Sequence, residues 1–184
     1  MRDNLRPSLV FIVLAIAVLI VAPLVILIVP LMAVETLYFD HNNIVLITPK
    51  RNFILLTAAF LGVILALFLL SWKRNKATYA LAILLVIASG VAAYLSPKSY
   101  IAIQEEGLKI KGYNHLTTYK WSDMIGILYE FSETEPANYT FSLKNGEKVH
   151  LVENGQIGSG ERGIILSLAR QHNIDYTEKE SASE

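Results

Sequence analysis

A glycine-rich segment near the C-terminus has the spacing of a phosphate-binding loop. Gly158-Ser159-Gly160-Glu161-Arg162-Gly163 matches GxGxxG and opens a predicted helix, where backbone N–H groups can hold a phosphate. A dinucleotide-binding fold also needs a βαβ unit with an acidic residue about 20 positions further on, after a second strand. Only 21 residues follow Gly163, most of them polar. The segment therefore predicts a loop with Ser159 or Glu161 near a helix N-terminus.

A group of basic and aromatic residues is the second candidate site. Lys109, Lys111 and Lys120, with Tyr113 and His115, fall on neighbouring predicted strands and could converge around the first hairpin. Lysines near a membrane surface attract anionic headgroups by about 1 kcal/mol each. We consider these five residues a candidate contact for a headgroup or a peptide; the alternative is a set of solvated strand lysines.

The sequence lacks the residue patterns of the common catalytic and metal-binding sites. The chain has no cysteine, which excludes disulfides, thiolate metal sites and cysteine nucleophiles. The histidines lack metal-ligand spacing such as HExxH, and no Ser/His/Asp, SxxK or paired-carboxylate arrangement stands out. We therefore predict a non-catalytic protein without cofactor or metal. The histidines are His41, His115, His150 and His172.

The net charge of zero hides two unlike halves. Residues 1–98 hold eight basic and three acidic side chains, whereas the remainder holds eight basic and thirteen acidic ones. The acidic half offers no basic field to attract phosphate backbones, which argues against a nucleic-acid partner.

Three long apolar segments lie in the first half of the sequence, before the region that holds the candidate sites. They cover residues 9–34, 53–72 and 77–95 and contain no charged side chain. Each is at or near the roughly 20 residues that a helix needs to cross a bilayer. The first is too long for a cleavable signal peptide, whose apolar region has about 7–15 residues. The sequence thus predicts an integral membrane protein with a three-helix region over residues 1–98.

The composition of these spans favours an anchor over a transporter. Transporters and pumps place ionisable groups at membrane depth, and these spans contain none. Ala58, Gly62 and Ala66 recur every four residues on the second span. Small residues at this spacing let helices approach closely. They indicate either a face for homo-oligomers or packing within the chain's own bundle.

Loop charges give the orientation. The tip between the second and third spans is Lys73-Arg74-Asn75-Lys76, and short basic loops stay in the cytoplasm. With Arg2 and Arg6, five basic residues lie on that side and three (Lys50, Arg51 and Lys98) on the other. We predict the N-terminus inside and the C-terminal domain outside. Three spans put loop 34–52 on the domain's side, where its β-prone stretch 43–48 could pair with a sheet edge.

The second half predicts a small domain over residues 99–176 and a frayed polar tail over 177–184. Alternating residues predict a hairpin over 99–104 and 108–113, followed by strands at 117–121 and 125–131. In the longer strand we expect Ile125, Ile127, Tyr129 and Phe131 on one face. A polar loop, 132–136, follows. A second hairpin flanks Asn145-Gly146, a dipeptide that suits a type I′ turn. Last comes an amphipathic helix over 161–172, with Ile164, Ile165, Leu168 and Ala169 on one stripe.

This order of elements resembles the bacterial pleckstrin-homology-like (bPH) domains of small membrane proteins. The resemblance covers about residues 98–175 and is carried by Tyr100-Ile101-Ala102-Ile103, Glu106-Gly107-Leu108-Lys109-Ile110 and Lys120-Trp121-Ser122-Asp123-Met124-Ile125. It implies an α+β membrane protein whose antiparallel β-sandwich or barrel is capped by a C-terminal helix. Such domains bind or scaffold, usually without catalysis, and some belong to bacteriocin immunity proteins.

We therefore expect a multi-pass protein of the bacterial cytoplasmic (inner) membrane. Its partners would be the lipid bilayer and a protein or peptide bound by the PH-like domain, with a role related to immunity or the cell envelope among the options. The alternative is an accessory subunit of a membrane transporter or channel.

Overall fold

The computed structural model describes residues 7–132 and 136–180, which divide into two compact units. The first unit consists of residues up to Phe39 together with Thr48–Ser99, and the second of Asp40–Ile47 together with the chain from Tyr100 onward. Arg2 and Arg6, most of the predicted loop 132–136 and the last four residues lie outside the described part.

The first unit contains three helices: α1 (Pro7–Leu37), α2 (Lys50–Trp72) and α3 (Lys76–Leu95), the last followed by a 3₁₀ turn at Ser96–Lys98. All three are long and apolar enough to cross a membrane. Each predicted span lies inside one of them, and α1 remains helical through Pro23 and Pro30.

Small residues make many of the contacts between these helices, together with the buried Val34, Leu56 and Ile64. The buried positions include Ala15 and Ala22 on α1, Ala59 and Ala66 on α2, and Ala82 on α3. Most of the large aliphatic side chains point outward. This is the reverse of a water-soluble bundle, and it suits helices surrounded by lipid, where close backbone approach replaces a hydrophobic core.

A buried polar cluster joins the start of α2 to the end of α3. The side chain of Asn52 is fully buried; its Nδ2 donates to the Ser99 carbonyl at 2.7 Å, and its Oδ1 accepts from the Ser99 hydroxyl. The Ser96 hydroxyl donates to the Asn52 carbonyl at 2.8 Å, and Arg51 Nε donates to Ser99 Oγ at 2.9 Å. We call Asn52, Ser96 and Ser99 the polar clasp.

The second unit contains two four-stranded sheets. Sheet A consists of β1 (Asn43–Ile47), β2 (Tyr100–Gln104), β3 (Gly107–Lys111) and β4 (Leu116–Lys120), all antiparallel and in that spatial order. Its first strand comes from the loop between α1 and α2. The predicted pairing of that loop with the domain is confirmed: β1 pairs with β2 from Asn43 opposite Gln104 to Ile47 opposite Ile101.

Sheet B consists of β5 (Met124–Phe131), β6 (Asn138–Leu143), β7 (Lys148–Val152) and β8 (Asp175–Glu180) in the order β7-β6-β5-β8. The prediction of a frayed tail from residue 177 is wrong as far as Glu180, because β8 pairs with β5 over six positions. That pairing is parallel, so the domain is not wholly antiparallel as expected.

Two finer predictions in sheet B are also wrong. Ile125 does not share the face of Ile127 and Tyr129: it is 56% exposed, because a bulge between Met124 and Gly126 shifts the register. The β6–β7 turn is not type I′, since among the described residues only Asn173 and Gly146 have positive φ. Gly146 N instead donates to the Leu143 carbonyl, as in a type I turn followed by a left-handed glycine.

One hydrophobic core lies between the sheets and helix α4 (Ser159–Gln171). Sheet A contributes Ile103 and Leu108, and sheet B contributes Tyr139 and Phe141. The predicted helix stripe is confirmed for Ile165, Leu168 and Ala169, which are buried, while Ile164 is partly buried. Trp121, 1% exposed, donates from Nε1 to the Gln104 carbonyl at 2.9 Å and so joins the core to sheet A.

Candidate functional site

The three candidate lysines share the outer face of sheet A. Lys109 lies opposite Thr118, and Lys111 lies opposite Leu116, in the β3–β4 register. Directly opposed residues point to the same face, and Lys120, two positions beyond Thr118, belongs to that face as well. Ile103 and Leu108 belong to the other face, which forms the core.

The five predicted residues nevertheless separate into two groups. Tyr113 and His115 lie in the β3–β4 turn, closed by a bond from Gly112 N to the His115 carbonyl at 2.8 Å. Lys120 lies at the other end of β4, where Trp121 N donates to the Glu106 carbonyl. Five strand residues span about 16 Å. No single ligand headgroup could therefore contact the turn residues and Lys120 together.

The side chains around the turn form a basic and apolar surface. Lys111 Nζ lies 5.8 Å from the centre of the Tyr100 ring, and Tyr113 and Leu116 are 38% and 56% exposed. We call Lys111, Tyr113, His115 and Leu116 the turn surface.

A different site, which the sequence did not indicate, lies at the outer edge of β4. A pocket of about 420 Å³ opens between β4, the 3₁₀ turn Trp121–Asp123 and the β6–β7 turn. Its polar wall contains a hydrogen bond of 2.9 Å from Tyr119 Oη to Glu147 Oε1. Burial, and after it this hydrogen bond, raises the pKa of Tyr119. The lining residues are Thr118, Tyr119, Asp123, Leu143, Lys144, Asn145 and Glu147.

The register of sheet A shows which backbone groups face this pocket. Trp121 N bonds to Glu106 O, which makes odd-numbered β4 residues the hydrogen-bonded partners of β3. The N–H and C=O groups of Leu116, Thr118 and Lys120 therefore point away from β3. Because β4 is the last strand of the sheet among residues 7–132 and 136–180, these groups form an open edge that can accept another strand.

Gly107 keeps β4 close to β3. A Cβ at Gly107 would overlap the Tyr119 carbonyl oxygen and approach Lys120 Cα at 2.9 Å. A glycine is required here by the close approach of two backbones, not by an unusual φ.

The GxGxxG segment closes on itself. Gly158 N donates to Glu161 Oε2 at 2.8 Å, which places a carboxylate where a phosphate would have to bind. This backbone bond lowers the Glu161 pKa. The predicted position of Glu161 near the helix N-terminus is confirmed, and its side chain acts as a cap.

An aromatic and ionic cluster joins α4 to strands β5 and β8 of sheet B. Arg162 Nη2 contacts Glu178 Oε1 at 2.6 Å, and the guanidinium lies 4.3 Å from the centre of the Tyr129 ring. The bond to Glu178 raises the Arg162 pKa, and burial raises the pKa of Tyr139 well above its ordinary range. This cluster is structural: its charged groups are already matched to each other.

Two of the histidines have partners inside the domain. His150 Nδ1 lies 3.0 Å from Thr140 Oγ1. The His172 ring stacks on the Trp121 ring, with 6.3 Å between the ring centres. Within residues 7–132 and 136–180, no three His, Cys, Asp or Glu side chains form a group able to hold a metal ion.

The small-residue face of α2 is divided. A Cβ at Gly62 would overlap Ser89 Oγ on α3, so Gly62 serves packing inside the bundle. Ala66 is also buried, whereas Ala58 is exposed beside a shallow apolar groove.

No family model and no curated protein matches the chain. Among solved structures, the chain is similar to "Structure of the Spt16D Pob3N heterodimer", with 12% sequence identity and a TM-score of 0.37. The match covers 46% of this chain and 47% of that one, and it identifies neither a family nor a function.

Proposed function

We propose that this is an integral protein of the bacterial cytoplasmic membrane whose three helices anchor a PH-like binding domain. The domain binds a protein or peptide partner and is not catalytic. The order of the domain supports the proposal: six consecutive strands in two sheets are followed by a helix that contributes to their common core.

The observation that carries the anchoring role is the pairing of β1 with β2. Because β1 lies between α1 and α2 and β2 follows α3, three chain segments connect the domain to the helices. A domain fused to one end of an anchor has a single covalent connection to it, whereas this one has three. Such an arrangement suits a surface that must be held at the membrane.

The open edge of β4 supports an extended polypeptide as the partner. A strand added beside Thr118 would satisfy its outward N–H and C=O, and main-chain bonds of this kind give affinity with little demand on sequence. The neighbouring pocket would accept a side chain of the added strand. Asp123 and Glu147 in its wall favour a basic side chain there.

A photo-crosslinking amino acid at Lys144, in the pocket wall, tests this proposal in the full-length protein in its native membrane. We expect an adduct that disappears in Thr118→Pro, because proline removes the outward N–H while leaving the β3 ladder intact. The same crosslinker at Lys148, outside the pocket, is the matched control. An adduct that persists in Thr118→Pro, or equal yields at both positions, would contradict the proposal. A polytopic membrane protein in the adduct would favour the alternative of a transporter or channel accessory.

The orientation can be tested separately, since the chain has no cysteine. We propose the N-terminus inside and the domain outside. Lys148→Cys should react with an impermeant thiol reagent in intact cells, and Arg74→Cys, at the α2–α3 tip, only after lysis. The reverse pattern would invert the orientation, and labelling of both in intact cells would contradict a membrane-spanning hairpin.

A further inference from the structure

Chain length places one end of sheet A close to the membrane if α2 and α3 cross it. Residues 48 and 49 alone separate β1 from α2, and residues 96–99 alone separate α3 from β2. At about 3.5 Å per residue, Ile47 cannot lie more than about 10 Å from the start of α2. This limit follows from connectivity alone.

The β3–β4 turn lies at this same end of the sheet. Tyr100 begins β2 and is opposite Lys111, which is opposite Leu116. Residues 112–115 extend beyond that row, in the direction from which β2 starts. The Glu105-Glu106 turn and Lys120 lie at the opposite end of the sheet.

The β3–β4 hairpin is also the basic part of an acidic domain. From Gly107 to Ser122 there is no acidic residue but three lysines and one histidine, although the half-chain from residue 99 carries thirteen acidic side chains. Basic groups next to exposed aromatic and aliphatic side chains are the combination that binds the interface of an anionic bilayer. The turn surface has this combination, with Lys111 and His115 beside Tyr113 and Leu116.

We infer that the turn surface contacts the lipid headgroup layer, with Tyr113 and Leu116 entering the interface and Lys111 beside anionic headgroups. This inference rests on the proposed membrane anchoring. It assigns Lys111 to lipid and leaves the β4 edge for a polypeptide.

Tryptophan quenching by brominated lipids in nanodiscs tests the inference on the full chain. Trp72, 91% exposed at the end of α2, reports whether the helices lie in lipid, while Trp121 is buried in the core. In a Trp72→Phe background, Tyr113→Trp should be quenched and blue-shifted in discs containing phosphatidylglycerol. Ile125→Trp, equally apolar but away from the turn, should show neither effect.

The outcomes separate the two proposals. If native Trp72 is not quenched, the membrane anchoring itself is wrong. If Trp72 is quenched but Tyr113→Trp behaves like Ile125→Trp, the anchoring stands and the inference about the turn surface is overturned. Lys111→Glu should reduce the quenching of Tyr113→Trp, and Lys148→Glu should leave it unchanged; equal effects of both reversals would also contradict it.

Discussion

Replacing Asn52 with alanine should destabilise the helical unit more than any exposed change in α2. The substitution removes both bonds of the side chain to Ser99. Ser99 is fully buried, so its carbonyl and hydroxyl would lose these partners without gaining water. Each orphaned buried group costs about 1–3 kcal/mol. The sum is about 2–6 kcal/mol, and we expect the lower part of that range because Arg51 still donates to the Ser99 hydroxyl.

The measurement is SDS titration of the purified protein in mixed micelles, followed by far-UV circular dichroism. Thr57→Val is the matched control, since the Thr57 hydroxyl bonds only within its own helix, to the Phe53 carbonyl at 2.8 Å. It should stay within about 0.5 kcal/mol of the parent protein.

A double-mutant cycle with Ser99→Ala makes the prediction specific. If the polar clasp is one interaction, the double variant should lose clearly less stability than the sum of the single variants. Strict additivity, or an Asn52→Ala variant as stable as Thr57→Val, would refute the idea that the clasp holds the helix ends together.

Three further predictions concern the second unit. Ile47→Ala should lower the free energy of unfolding by about 2–5 kcal/mol, because Ile47 is 1% exposed in the core. Ile44→Ala in the same strand should lower it far less, because Ile44 is 40% exposed. Denaturation followed by Trp121 fluorescence in a Trp72→Phe background compares the two variants. Gly107→Ala should lower the free energy of unfolding by about 1–3 kcal/mol, because the added Cβ forces β4 away from β3. A denaturation midpoint equal to that of the parent protein would contradict the observed overlap. The lowered pKa of Glu161 gives stability that is present above its unfolded pKa and is lost as pH falls through the folded value. In Glu161→Gln the free energy of unfolding should therefore fall less steeply as the pH is lowered. An unchanged slope would rule out this contribution.

Local patterns predicted much of this fold. The apolar spans were long and uncharged, and the alternation around Glu105-Glu106 and the Asn145-Gly146 dipeptide located both hairpins. The short run Asn43–Ile47 was apolar enough to indicate a strand between two helices. In each case the signal lay within about 20 consecutive residues.

What could not be predicted depends on contacts between distant segments. β8 reads Asp-Tyr-Thr-Glu-Lys-Glu, and only Tyr176 gives a hint of burial; the strand exists because β5 offers a free edge. The bulge that exposes Ile125 likewise has no marker in its own sequence. The pocket at β4 combines residues more than 20 positions apart, and only the β4 strand and the β6–β7 turn were visible beforehand as separate elements.

The pairing of β1 with β2 also constrains the order of synthesis and assembly. β1 leaves the ribosome long before its partner, with the whole α2–α3 hairpin in between. If α2 and α3 cross a bilayer, sheet A can close only when both crossings are made, since a single crossing would leave the two strands on opposite sides. Pairing between such distant segments is also slow, because the entropy of closing the intervening loop is lost before the contacts form. In such a membrane protein, completion of the domain would depend on correct insertion of the hairpin, and a chain with one crossing would leave β1 and β2 without each other.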